Sequence, residues 1–366
     1  MDPLVVAGGL AIGAAAVWLT VTVLKWLADF VEAPNWRKLL HAAGSVALCG
    51  WFAYWVRDSC WSIPTDGRLG IDGRIYYRAA QAWLDGHDPW LAGVPVSGFR
   101  FDFAGPPPTV LAFAPFAVLP EDVFTALWLS ITIVAAVYTI HRLRRPMWWL
   151  LFPPLVQGVL VGNPQVLCLA VLLAGSDWLR SLAIPLKAYA ALPMLAERRW
   201  RALAILGLAS ALSFALWPGL WLTYLGEFGT ISARIAAQSF GGFSATRDTT
   251  LLVVTAAAIG ILALIDLRAA GWLSVPALWP SSQFFYSAFA LPVMSPILAI
   301  GLAVDQRGLP AQVICFYAAW RVARRVGPVL LPGLAGAEVA GEDEAKDEAE
   351  DGANDEAEDG AKSGAA

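Results

Sequence analysis

Residues 71–90, from Ile71 to Trp90, read IDGRIYYRAAQAWLDGHDPW, the most polar and aromatic run in a chain otherwise dominated by apolar residues. Asp72, Arg74, Tyr76, Tyr77, Arg78, Asp85, His87 and Asp88 fall within a few turns of one another. Ile75, Ala79, Ala82 and Trp83 recur at helical spacing, which predicts an amphipathic helix. An ordinary surface helix has the same periodicity. The neighbours favour a site instead: an apolar segment precedes the stretch and Pro106-Pro107-Pro108 follows it. Charged and aromatic side chains gathered beside apolar spans mark a membrane surface.

Working outward, the chain has 366 residues, 58% of them hydrophobic, with 18 Trp and only 15% charged. Soluble domains carry about 25% charged residues, so this composition excludes an ordinary soluble enzyme and predicts an all-α polytopic membrane protein. The formal net charge of −4 conceals two parts. From Glu338 onward twelve acids face only Lys346 and Lys362, a net −10, which leaves +6 on the rest. Cys49, Cys60, Cys168 and Cys315 are far apart, and His41, His87 and His141 show no ligand spacing, so no metal site is expected. No nucleic-acid partner is expected; membrane lipids are.

Leu4–Leu24 lacks a basic leader region and reads as a first span. Lys25, Arg37 and Lys38 follow, and the positive-inside rule makes them cytoplasmic. Leu39–Val56 then crosses outward and places Asp58–Gly105 outside. Pro106–Pro120 is a broken or partly inserted helix. Val123–Ile140 is a clear span that ends in His141, Arg142, Arg144 and Arg145. Trp148–Val161, Val166–Trp178 and Leu182–Leu195 are shorter apolar segments, the last interrupted by Pro185, Lys187 and Pro193. Ala202–Tyr224 is expected to cross, Gly226–Thr249 to form a polar outer loop with Arg234, Gln238, Arg247 and Asp248, and Thr250–Leu267 to return. Gly271–Ala303 reads as two apolar legs around Trp279–Gln283, and Leu309–Trp320 as a short segment closed by Arg321, Arg324 and Arg325. About nine or ten spans result at ~20 residues per span, with at least one short segment re-entrant. The expected domains are N-terminal transmembrane helices (1–57), an external loop (58–105), a transmembrane core (106–330) and a disordered acidic tail (331–366), cytoplasmic and solvating.

If basic clusters mark the cytoplasm, the polar islands mark the other face. These are the Asp72 stretch, Gly162–Gln165, the Lys187 break, the Arg234–Asp248 loop and the Trp279–Gln283 break. A lysine at membrane depth costs several kcal/mol unless it is solvated or paired. Broken helices tolerate it where they line a polar cavity, and snorkelling to an interface is the simpler alternative. Together the islands predict one cavity on the outer face. The chain has no Walker loop, dinucleotide fingerprint or nucleophile elbow, and no cytoplasmic domain for a soluble nucleotide donor.

In these residues the chain resembles glycosyltransferase family 87, within the GT-C superfamily of polyprenyl-phosphate-sugar-dependent membrane enzymes. The resemblance rests on Asp72, Tyr76, Tyr77 and Ala79 with Gly86, Asp88, Pro89 and Trp90; on Phe101 and Phe103 before Pro106 and Pro107; on Gly162, Asn163 and Gln165; on Lys187 with Tyr189; and on Pro276 with Trp279. It covers about Ile71–Pro292. Two features depart from the family's pattern. Ser281, Ser282 and Gln283 stand where a histidine often follows the late tryptophan, and the helix leading to Lys187 is short. The resemblance implies a GT-C-like bundle with a large external loop. It also implies inverting transfer of a hexose, mannose above all, from a polyprenyl-phosphate donor to a glycolipid or glycan acceptor, with Asp72 as general base and no cofactor.

Such transfer needs a base for the acceptor proton and positive charge or hydrogen bonds for the departing phosphate. Lys187 is the first candidate for the phosphate, followed by Arg74, Arg78 and Arg247. Gln283 is the candidate to replace the family histidine. Asn163 and Gln165 are candidate substrate ligands through the resemblance. Tyr76, Tyr77 and Trp83 are candidates to stack on sugar or wedge against the prenyl chain, or else are interfacial anchors. Asp85 and Asp88 read as turn and capping residues. A transporter or flippase, and an inactive scaffold, are the rival readings; the first expects pseudo-symmetric halves, which the membrane region does not display.

Overall fold

The computed structural model describes residues 36–96, 99–238, 242–280 and 282–330. The expected first span Leu4–Leu24 and the acidic tail from Glu338 lie outside them. The chain divides into two compact units, Met1–Cys315 and Phe316–Ala366. In the second, the rings of Tyr317 and Trp320 lie 5.8 Å apart, and Arg321 donates to the Tyr317 hydroxyl at 2.8 Å.

The described chain is mostly helical. Leu39–Thr65 and Glu121–Arg142 are long and apolar enough to cross a membrane. Trp200–Leu216 with Pro218–Ala237 makes a third if that pair is one span. This is fewer than the nine or ten spans expected, because proline divides the remaining apolar sequence. Pro153, Pro164 and Pro296 each open a helix of seven to nine residues, Pro153–Leu160, Pro164–Leu172 and Pro296–Leu302. Proline suits the first helical turn, where an N–H has no partner anyway, and blocks continuation of a helix behind it.

Three expectations need correction. Ala202–Tyr224 is not one straight crossing: the axis bends by 105° at Trp217, where Pro218 restricts the residue before it and starts a new helix, Pro218–Gln238. Residues 226–238, expected as a polar loop, belong to that second helix. The described residues are also not purely α-helical. Val94–Val96 and Phe99–Phe101 pair as an antiparallel hairpin, Val94 opposite Phe101. Asp102, just after it, accepts from Arg100 at 3.0 Å and lies 3.8 Å from Arg234 of the Pro218–Gln238 helix. The hairpin segment is thereby tied to the bent pair.

The predicted amphipathic helix forms over Ile71–Leu84 and buries Ile71, Ile75, Tyr76, Tyr77, Ala79 and Ala80. Against its inner face stand Phe103, Phe113, Phe124 and Trp128. Tyr76 meets Phe103 and Phe113 at 5.2 and 5.0 Å, and Tyr77 stacks on Phe124 at 4.9 Å. Such pairs add about 0.5–1.5 kcal/mol each beyond area burial. Elsewhere, Glu197 anchors the Ala191–Ala196 helix to Leu267–Leu278 by accepting from Trp272 Nε1 at 2.9 Å and Arg268 at 3.1 Å. Burial acts to raise its carboxyl, but the hydrogen bonds from Trp272, Arg268 and Arg199 outweigh it and hold the group below the usual carboxylate range.

Candidate functional site

Three glycines bring Asp72 to its partners. Gly70 and Gly162 both adopt left-handed backbone, φ 66° in each, which costs a side-chain-bearing residue strain. A Cβ on Gly162 would stand 3.2 Å from the Gly70 Cα, and one on Gly73 would stand 2.4 Å from the Trp128 ring. With no side chains in the way, two helix ends abut. The N–H groups at the start of the Asp72 helix find acceptors at the end of Pro153–Leu160: Gly70 donates to Leu160 and Asp72 to Val161, both at 2.9 Å. Helix-terminal N–H and C=O groups, which lack intrahelical partners, thus satisfy one another. Trp128 Nε1 donates to the Gly162 carbonyl at 2.7 Å and fixes the third side of the junction.

This junction sets Asn163 beside Asp72. Asn163 caps the helix Pro164–Leu172, its side-chain oxygen accepting from the Gln165 N–H at 2.9 Å. Because the oxygen is committed to an N–H, the amide nitrogen must point the other way, and it donates to Asp72 Oδ2. The cap therefore orients the carboxylate. Gln165, fully buried, donates to the Phe285 carbonyl and lies 3.5 Å from the Tyr189 hydroxyl.

Lys187 enters from the break between Ala183–Leu186 and Ala188–Ala190, where its own backbone is extended. Its ammonium lies 5.5 Å from the Tyr76 ring centre and 5.8 Å from that of Tyr286. Both are within cation–π range, worth about 0.5–2 kcal/mol according to desolvation. Tyr189, two residues on, packs against Trp279 at 5.4 Å, Tyr286 at 4.7 Å and Phe289 at 5.1 Å. Burial pushes the Asp72 carboxyl above its ordinary range, and the Lys187 charge and the Asn163 hydrogen bond pull it back down. Asp72 and Lys187 sense each other's charge without an ion pair within 4.0 Å. A carboxylate and an ammonium thus share one aromatic-walled neighbourhood without forming a direct ion pair.

Asp72, Tyr76, Asn163, Gln165 and Lys187 therefore converge. The other sequence candidates go elsewhere. Tyr77 turns to the protein side, its hydroxyl donating to Leu119 at 2.5 Å and accepting from Gln81 at 2.8 Å. Arg78 pairs with Glu121 at 3.1 Å; the pair is partly exposed, contributes about 0–1 kcal/mol, and occupies the guanidinium. Arg74, on the far side of the helix from Asp72, donates to the Gly67 carbonyl at 2.8 Å. Arg247 is exposed on the turn Ala245–Arg247. Gln283 precedes the 3₁₀ segment Phe284–Val293 and makes no side-chain hydrogen bond to the cluster among the described residues. Asp85 ends the Asp72 helix and Asp88 caps the next turn by accepting from the Trp90 N–H at 2.8 Å. Among the described residues no group of His, Cys, Asp and Glu could hold a metal ion.

Tyr286 and Phe285 were not legible as site residues. Both sit in a mostly apolar run, Phe284–Val293, whose only polar signals are the adjacent hydroxyls of Tyr286 and Ser287. Comparison with protein-family models, with curated proteins and with solved structures found no match.

Proposed function

We propose that the chain is a multi-pass membrane glycosyltransferase of GT-C-like architecture. It transfers a hexose, mannose in the reading that the resemblance favours, from a polyprenyl-phosphate donor to a glycolipid or glycan acceptor on the extracytoplasmic face. The observation that carries this reading is the convergence at Asp72 of elements far apart in sequence: the Asn163 cap, the Lys187 break and, through Tyr189, the Trp279 segment.

The chemistry assigns one role to each group. The acceptor oxygen attacks the anomeric carbon as the bond from that carbon to the phosphate oxygen breaks, and the phosphate leaves with the electron pair. Asp72 takes the acceptor proton. Its Oδ2 is held by Asn163, so Oδ1 is the receiving atom. Lys187 compensates the charge that gathers on the leaving phosphate. Tyr76 and Tyr286 hold the ammonium on the side from which the phosphate departs. Gln165 and Tyr189 brace the wall behind them. Burial makes Asp72 a stronger base than a solvated carboxylate.

The test is incubation of membranes holding the full chain with labelled polyprenyl-phosphate-mannose and a lipid extract. A labelled product of higher mass, with free polyprenyl phosphate released in equal amount, supports transfer. Donor carried across the bilayer with its sugar–phosphate bond intact would replace transfer by the carrier reading, which the 105° helix break also accommodates.

A further inference from the structure

An open groove of about 490 Å³ runs along the outside of the helix Glu121–Arg142, away from the aromatic cluster. Its volume falls within the range of about 300–1,000 Å³ common to small-ligand sites. Ser130, Ile131, Val134 and Tyr138 form one wall, and Leu167 and Val171 the other. The lining is almost wholly apolar and lies on a helix long and apolar enough to cross a membrane. From Ser130 to Tyr138 it extends about 12 Å, at ~1.5 Å per residue.

The groove has a charged end. Ala174 lines it, and the neighbouring Leu173 carbonyl accepts from Arg142 Nε at 3.2 Å. That bond holds the Arg142 guanidinium at the mouth. Arg144 is exposed in the turn just beyond. Neither arginine pairs with a carboxylate among the described residues. Asp177, three residues after Ala174, is already bound by Arg180 at 2.9 Å. Trp178 is 71% exposed beside Leu179, which also lines the groove. An exposed tryptophan beside arginines that lack a carboxylate partner, at the end of an apolar helix, fits a membrane interface.

We infer that this groove binds one anionic glycerophospholipid, an acyl chain lying between the two helices and the phosphate held by Arg142 with Arg144. Arginine suits phosphate oxygens because its fork of donors matches them in pairs. The site is distinct from the Asp72 cluster. The Asp72 helix packs at Trp128, and Arg142 is 14 residues further along the same helix, about 21 Å at ~1.5 Å per residue. The groove's lining includes neither Asp72 nor Lys187, so its occupant is a separate one. The inference needs the helix to span the membrane and does not need the chain to be a transferase.

Native mass spectrometry of the purified full chain in detergent, titrated with phosphatidylglycerol or phosphatidylcholine, tests it. The wild type should bind one phosphatidylglycerol about tenfold more tightly than phosphatidylcholine. Val134→Trp fills the groove from a position already 67% exposed, so the core is undisturbed, and it should remove that binding. Arg142→Gln should abolish the preference for the anionic lipid while leaving phosphatidylcholine binding in place. Leu264→Trp, on a different exposed apolar surface, should change nothing. Equal affinity for the two lipids in the wild type, or phosphatidylglycerol binding unchanged in Val134→Trp, would overturn the inference. So would a polyprenyl phosphate that excludes phosphatidylglycerol from the groove.

Discussion

At the scale of single residues the account turns on Asp72 and the two groups that oppose its burial. Lys187→Ala removes the larger of the two opposing effects, so the Asp72 carboxyl rises further. A base works only while ionised, and activity falls as pH drops through its pKa. The acid limb of the pH–rate profile should therefore move to higher pH in Lys187→Ala, and by less in Asn163→Ala; an unmoved limb would show that the lysine merely snorkels. Stability should run the other way. A carboxyl raised in the folded state favours folding at low pH and disfavours it once pH exceeds the folded pKa. Asp72→Asn removes the desolvated charge, so thermal unfolding at neutral pH should shift upward, with the gain vanishing as pH falls below the ordinary carboxylate range. Asp72 and Lys187 were legible as candidates in sequence because charge is conspicuous in an apolar chain, and the structure places them within reach of each other's charge. The separation of Tyr76 from Tyr77 was not. Adjacent tyrosines look alike until a helix turns one toward Lys187 and the other toward Phe124.

At the scale of elements the decisive feature is the junction of two helix ends at Gly70, Gly73 and Gly162. Gly162→Ala would force a side chain into left-handed backbone and against Gly70, costing about 1–3 kcal/mol. Gly73→Ala would drive a Cβ into Trp128 and push the Asp72 helix away from Asn163. Both should lower the unfolding temperature in detergent, and Gly73→Ala should also lose activity out of proportion to the stability lost. A second junction gives a pH test. The Glu197 carboxyl is held low, so its contribution is present above the unfolded pKa and fades as pH falls through the folded one. The wild type should lose stability across that acidic window, while Glu197→Gln, already less stable at neutral pH, should lose less. Element existence was largely readable from apolar periodicity and proline. The bend at Trp217 was not, because the apolar character of the segment continues on both sides of Pro218.

At the scale of the whole molecule, composition predicts an all-α membrane protein, and the described residues are mostly helical and contain two helices, or three with the bent pair, long and apolar enough to cross. The number of crossings was harder to read, since length and apolarity do not distinguish a span from a short helix packed inside other helices. Cysteine substitutions at His87 and Arg144, labelled in sealed cells by an impermeant reagent, address sidedness. The proposed topology expects labelling at 87 and protection at 144. Truncation before Glu338 should leave transfer unchanged if the acidic tail only solvates the chain. The central claim is that Asp72 acts as a base rather than as a structural acid. Its most direct test is turnover of labelled polyprenyl-phosphate-mannose by wild type and Asp72→Asn under matched donor binding. The account predicts equal binding with turnover lowered by about 10²–10⁴-fold; equal turnover by the two proteins would contradict it.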